Sequence, residues 1–285
     1  MDGLMMDFPL TLTHLLRRAE SFFGDGEIVT RLPDKSFHRT NHREALRRAR
    51  QLAVALRKAG LERGDRVATL CWNHHQHHEA YFGVPCGGFV LHTLNLRLHP
   101  SDLAYIATHA NDKAVIVDRS LMPLLEQFRD RTPIEHVLVV EDSYEELLAS
   151  VSPDDWHDPE LDENEAAAMC YTSGTTGMPK GVLYSHRSTM LHTLGVAAGN
   201  PMGLGVSEAD SILPVVPLVK HIAAASFSSM SGSSHSSGSA VASSSSYESS
   251  TTKTCSMSVS SLNLSASGTS ERSTIRTRSP ACLAM

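Results

Sequence analysis

The sequence predicts an α/β architecture of parallel sheets with helices packed on their faces. Short apolar runs alternate with amphipathic stretches from residue 43 to residue 140, the pattern of parallel strands joined by crossover helices. Asn41 followed three residues later by Glu44 marks a helix start, and a loop rich in glycine and hydroxyls between two apolar runs marks a sheet end.

Taken in order, the elements support that class. Leu46, Ala49, Ala53 and Leu56 share one face of a helix over 43–59, which Gly60 terminates. The run 66–71 reads as a strand, 76–84 as a helix and 89–94 as a strand. Ser101 after Pro100 is placed to cap a helix ending near Asn111, ahead of a strand over 114–117. A helix over 121–129, a strand over 137–140 and an acidic, proline-containing loop over 152–165 follow. Apolar residues 166–170 and 182–184 predict two buried strands either side of the glycine-rich loop. A helix over 190–198 and a buried strand over 212–219 complete the pattern, without internal repeats.

Bulk properties narrow the class further. A hydrophobic content of 41% supports a globular core, and a net charge of −6 without a basic stripe argues against nucleic acid as a partner. Protonation of the 16 histidines is expected to offset that charge below about pH 6.5. The five cysteines (Cys71, Cys86, Cys170, Cys255 and Cys282) are widely spaced with no CxxC pair, as expected of reduced thiols in a cytoplasmic protein. Asp2 and Asp7, with His14, Arg17 and Arg18 interrupting the apolar residues, do not read as a secretory signal. No run reaches the roughly 18–20 apolar residues of a membrane span; the stretch 84–96 is broken by His92 and Asn95. Peripheral contact with membranes stays open, and the sequence does not specify an oligomeric state.

The chemistry concentrates in residues 171–182: Tyr171, Thr172, Ser173, Gly174, Thr175, Thr176, Gly177, Met178, Pro179, Lys180, Gly181 and Val182. Hydroxyls, glycine backbone N–H groups and one cation can converge there on an anion, which points to phosphate. The Walker pattern does not fit, because Lys180 stands between Pro179 and Gly181 instead of between glycine and Ser or Thr. The loop resembles the phosphate-binding signature of the adenylate-forming enzymes: acyl-CoA synthetases, luciferases and peptide-synthetase adenylation domains. Stretches 64–68, 79–83, 94–98 and 210–217 resemble the medium- and long-chain fatty acyl-CoA synthetase branch, and the resemblance runs from about residue 8 to about residue 218.

That resemblance implies an N-terminal adenylation domain over 1–220, present in incomplete form. Its reaction is carboxylate plus ATP to acyl-adenylate, then thioester formation with coenzyme A. Nucleotide and a fatty-acid-type carboxylate are the implied ligands. Thr172, Ser173, Gly174, Thr175, Thr176, Gly177 and Lys180 would grip the β- and γ-phosphates, with Mg2+ near Thr176. The loop is expected to move, since it must also release pyrophosphate. No catalytic residue is assigned.

Serine dominates residues 221–285, where Glu248 and Glu271 are the only acidic side chains. So little apolar surface does not offset the cost of ordering the backbone, roughly 1–2 kcal/mol per residue, and a disordered tail is expected. A shifted reading frame after about residue 218 explains the abrupt change; a genuine serine-rich extension is the alternative. In either case the family's later adenine, ribose, hinge and lysine-bearing segments have no counterpart, so the chain is expected to be inactive. The other readings are a non-catalytic phosphate- or partner-binding remnant and a live enzyme carrying an exchanged segment.

Several polar residues outside the loop have two readings. His74, His75, His77, His78 and Glu79 suggest a metal site, but the order is not His-Glu-x-x-His and no third ligand is recognisable, so a solvated histidine-rich helix start is favoured. His186 and Arg187 read as surface polarity at a helix start, with functional contact the lesser reading, and Arg97 as an ion-pair partner of a carboxylate such as Asp102 in preference to a substrate contact. His221, one position late for the family's acyl-pocket histidine and without its aromatic neighbours, inherits no role, nor does Lys220.

Overall fold

The computed structural model describes residues 5–172, 177–198 and 210–214, together with the backbone of 233–237. α1 (Thr13–Phe23), which the sequence pattern does not single out, buries Leu15, Leu16 and Ala19. β1 (Glu27–Arg31) and β2 (Phe37–Asn41) pair antiparallel and lead into α2 (His42–Lys58). Asn41 Oδ1 accepts the Glu44 N–H at 2.9 Å, while the Glu44 carboxylate turns to Arg47, so half of the expected capping box forms. At the other end Gly60 has φ +97°. The Gly60 N–H reaches Arg57 O at 3.1 Å and the Leu61 N–H reaches Leu56 O at 3.2 Å, a Schellman closure. Nothing lies within 4 Å of a Cβ built there, so Gly60→Ala isolates the cost of the left-handed conformation. We expect a loss of about 1 kcal/mol in urea unfolding; a parental midpoint would show that the turn relaxes.

The chain continues through β3 (Arg66–Leu70), α3 (His75–Cys86), β4 (Val90–Thr93), α4 (Pro100–Ala110) and β5 (Asp112–Val117). The cap of α4 is His99, whose ring accepts the Ser101 N–H; Ser101 itself lies in the first turn, and left-handed Asn111 ends the helix. Where one helix over 121–129 is expected, short α5 (Met122–Glu126) is flanked by single 3-10 turns. β6 (His136–Val139), α6 (Ser143–Ala149), β7 (Ala166–Thr172), β8 (Lys180–Ser185) and α7 (His186–Ala197) follow, then β9 (Ser211–Ile212) and β10 (Ser233–Ser237).

Among the described residues the main sheet has the order β6-β5-β3-β4-β7-β8, parallel throughout except for the β7–β8 hairpin. Its central strands are apolar on both faces, as buried parallel strands require. Val67, Leu91, Ala114 and Ile116 face one way and pack with α1, α2 and α3. Ala68, Leu70, Val115 and Val117 face the other and pack with α4 and α5. The smaller sheet has the order β2-β1-β10-β9, with β10 parallel to both neighbours. The expectation of disorder over 221–285 lies mostly outside the described residues. Its described part, Ser233–Ser237, departs from it, because a strand's backbone hydrogen bonds need no apolar side chains.

Two further expectations are corrected. α3 is not a solvated helix: His75, His77, His78 and Glu79 are all buried. Close approach to α2 explains this, since a Cβ on Gly83 would sit 2.5 Å from Ala49 O. The buried Glu79 carboxylate finds partners. Glu79 takes hydrogen bonds from Arg48 Nε at 2.8 Å and Tyr144 Oη at 2.9 Å, and Arg48 also clasps Glu145. Burial pushes the Glu79 carboxyl up to about 7 against the pull of Arg48. The run 182–184, expected to be buried, is exposed: Val182 38%, Leu183 59% and Tyr184 36%. β8 is the outer strand of the sheet and, among the described residues, has a neighbour on one side only.

Candidate nucleotide-binding site

Parallel pairing of β4 with β7 sends the chain out of β7 at the carboxyl ends of the sheet, the edge where ligands bind in α/β folds. The hairpin register closes with Thr172 opposite Lys180, so the loop leaves and re-enters the sheet at these two residues. Both are exposed. Ser173, Gly174, Thr175 and Thr176 lie outside the described residues, and the expectation that Thr176 meets a magnesium ion falls there with them. Gly177 has φ +134° with nothing within 4 Å of a built Cβ, a backbone conformation that side chains disfavour. Among the described residues the Lys180 ammonium has neither a hydrogen bond nor an ion pair, which leaves its charge available to an anion.

The same edge carries the turn after β3 and the end of β5. The Trp72 N–H donates to Asp118 Oδ2 at 2.6 Å, and the half-exposed Trp72 indole donates to Ser120 Oγ at 3.1 Å. Asn73 Nδ2 donates to Pro214 O at 3.1 Å, drawing the 210–214 segment to this edge. Cys71, His74 and Asp118 bring their ligating atoms within 4.8 Å of one another. Each of the three is engaged by neighbours within the fold. His74 Nδ1 accepts the His77 N–H at 3.2 Å, so Nε2 carries the ring proton and faces Asp118 Oδ1 at 2.9 Å. Burial pushes the Cys71 thiol far up, and its Sγ donates to Ile116 O at 3.3 Å. The cluster ties the β3 turn to β5. Further along α3, both ring nitrogens of His77 are used, by Trp72 O at 3.0 Å and Thr69 Oγ1 at 3.1 Å.

The other singled-out residues are also placed. His186 is 1% exposed, and its Nδ1 accepts the Leu12 N–H at 3.3 Å. It is therefore an internal tie between α7 and the segment before α1, not surface polarity. Arg187 is exposed and pairs with Glu163. Arg97 is exposed, and among the described residues it forms no ion pair with Asp102; its backbone N–H goes to Asn95 Oδ1. Cys71, Cys86 and Cys170 are free thiols, while Cys255, Cys282, Lys220 and His221 lie outside the described residues. No helix among the described residues is long and apolar enough to cross a membrane. Sequence reasoning missed His109, whose Nδ1 hydrogen-bonds the Tyr171 hydroxyl at 2.6 Å directly before the loop.

Comparison with known proteins agrees with this geometry. The chain is 46% identical over 223 residues to a long-chain-fatty-acid–CoA ligase of Thermus thermophilus, covering 75% of this chain and 40% of the relative. It is 41% identical over 233 residues to a 3-methylmercaptopropionyl-CoA ligase of Ruegeria lacuscaerulensis, covering 76% and 42%. The chain thus spans about two fifths of the length of these relatives. In fold it is similar to a long-chain-fatty-acid-CoA ligase from Archaeoglobus fulgidus, with TM-score 0.72 and 21% identity over 81% of this chain and 48% of that one. It is likewise similar to the N-terminal domain of FACL13 from Mycobacterium tuberculosis, with TM-score 0.70 and 24% identity over 80% and 57%. The AMP-binding enzyme family matches residues 17–246, past the residue-218 limit of the sequence resemblance and through β10. With that match over most of its length, the chain belongs to the AMP-binding enzyme family.

Proposed function

We propose that this chain carries the triphosphate-gripping part of an ATP-dependent carboxylate–CoA ligase that works through an acyl-adenylate. The observation that carries the reading is the hairpin closed by Thr172 and Lys180, with an exposed, unpaired ammonium at its base among the described residues. In the reaction a carboxylate oxygen attacks the α-phosphorus and the bond to pyrophosphate breaks. The loop's task is to neutralise and orient the departing phosphates. Hydroxyls of Thr172, Ser173, Thr175 and Thr176 would bond the β- and γ-oxygens, Gly174 and Gly177 would let the backbone approach, and Lys180 would add the charge. Mg2+, when bound with ATP near Thr176, supplies further charge neutralisation.

The relatives' names favour an aliphatic carboxylate as the acyl substrate and coenzyme A as the acceptor. The adenine, acyl and thiol contacts belong, by resemblance, to segments beyond the described residues. For this chain alone the reading is Mg-ATP binding without thioester formation; for a whole ligase it is carboxylate activation in the cytoplasm. We keep 1–220 as the adenylation portion and a frame-shifted origin for 221–285 as proposals, against which stands the family match reaching residue 246; translating the other two frames of the coding DNA decides between them.

Trypsin cleavage after Lys180 tests the binding reading directly. Mg-ATP is expected to slow that cut while leaving cleavage at Arg97 unaffected. Equal rates with and without saturating Mg-ATP would refute it.

A further inference from the structure

Tyr171, one residue before the loop, is contacted from three elements. From α4, His109 Nδ1 hydrogen-bonds its hydroxyl at 2.6 Å, with the rings perpendicular and their centroids 5.8 Å apart. From β4, the His92 ring lies 5.3 Å from its centroid. From β8, its register partner is Gly181, where a Cβ would sit 3.1 Å from Tyr171 Cζ and 3.3 Å from its hydroxyl. His92 is itself immobilised: its Nδ1 bonds both oxygens of Asp112 at 2.8 and 2.9 Å, and both side chains are fully buried. Tyr171 therefore joins a fixed interior pair to an exposed hairpin.

We propose that Tyr171 and His109 are positioning residues for the phosphate loop. The hydroxyl–imidazole bond holds the first arm of the hairpin to α4, and the ring, lying against Gly181, holds the second. Together they set the direction in which Thr172 and Lys180 leave the sheet. The proposal rests on the phosphate reading of the loop. Three features favour this role over ordinary packing. The bond reaches from α4, an element that contributes nothing to the loop. The ring sits opposite the residue directly after Lys180. Gly181 is the only residue type that admits the ring at this distance without displacement.

Hydrogen exchange on the 285-residue chain, with Mg-ATP as the probe, tests it. Tyr171→Phe keeps the ring and deletes the bond; His109→Ala deletes the bond from the other side. Both are expected to speed amide exchange over 180–184 by about 3- to 10-fold and to weaken Mg-ATP protection by a similar factor, at an unchanged urea midpoint. His109→Gln, whose amide oxygen can accept the Tyr171 hydroxyl, is expected to restore both. Parental exchange in Tyr171→Phe, with Mg-ATP still protecting the parent chain, overturns the positioning role alone. Faster exchange in the variants with no Mg-ATP protection even in the parent overturns the phosphate reading and the positioning role with it.

Discussion

Acidification from pH 7 to pH 5 is expected to remove most of this chain's stability, because four buried imidazoles stay neutral in the folded state. Burial is the first cause in each case: it pushes His75 down to about 2, His77 and His78 to about 3, and His186 to about 4. The sign follows from proton counting. Below the ordinary imidazole value of about 6.5 the unfolded chain binds these protons and the folded chain does not, so stability present above that pH is lost as the pH falls. At pH 5 each group costs roughly 2 kcal/mol, and several together rival the roughly 5–15 kcal/mol that holds a domain folded. Neutral rings inside the fold also mean that these histidines do not offset the net charge, as their number alone suggested.

Glu79 acts in the opposite sense. Its carboxyl, raised to about 7, keeps a proton that the unfolded chain has released above about pH 4.5, so its contribution improves as the pH falls through that window. One carboxyl does not balance four imidazoles. The urea midpoint is therefore expected to fall steadily between pH 7 and pH 5, and more steeply in Glu79→Gln, which removes the opposing group while keeping its shape. A flat midpoint over that range would show that the imidazoles are not held neutral.

Those same residues explain where sequence reading stopped. The β5 run, the Asn41–Glu44 cap, the Gly60 stop and the loop were legible because each is specified by neighbours within a few positions. α3 was misread because its polarity is satisfied from afar, by Arg48 of α2 and Tyr144 of α6 at Glu79 and by His38 stacked 3.9 Å from His75. A linear pattern registers five polar residues and predicts solvent. His186 was misread for the same reason, its partner being the backbone of Leu12. The strand Ser233–Ser237 left no signal, since pairing through the backbone imposes no hydrophobic period. The glycine- and hydroxyl-rich loop could be singled out from sequence, whereas the His109–Tyr171 hydrogen bond beside it became visible only once α4 was folded against β7.

Lys180→Ala is expected to cripple nucleotide chemistry while leaving the fold intact. The measurement joins residues up to about 218 of this chain to the remaining length of the Thermus relative and follows carboxylate-dependent pyrophosphate release. Removing a cation that faces a triphosphate is expected to lower kcat/KM by about 10- to 1000-fold, roughly 1.4–4 kcal/mol of lost transition-state stabilisation. The side chain is exposed and has no partner among the described residues, so its loss leaves no buried group unpaired and the urea midpoint should not move. Lys180→Arg keeps the charge but not the point-like ammonium, and is expected to recover part of the rate. Arg97→Ala is the control: it removes an exposed cation elsewhere on the surface and should leave the rate unchanged. His78→Ala cannot serve as a control, since emptying a buried site on α3 lowers stability whatever the chemistry. A Lys180→Ala chimera as active as its parent would remove the phosphate assignment; one equally impaired by Arg97→Ala would reduce Lys180 to a contributor to general surface charge.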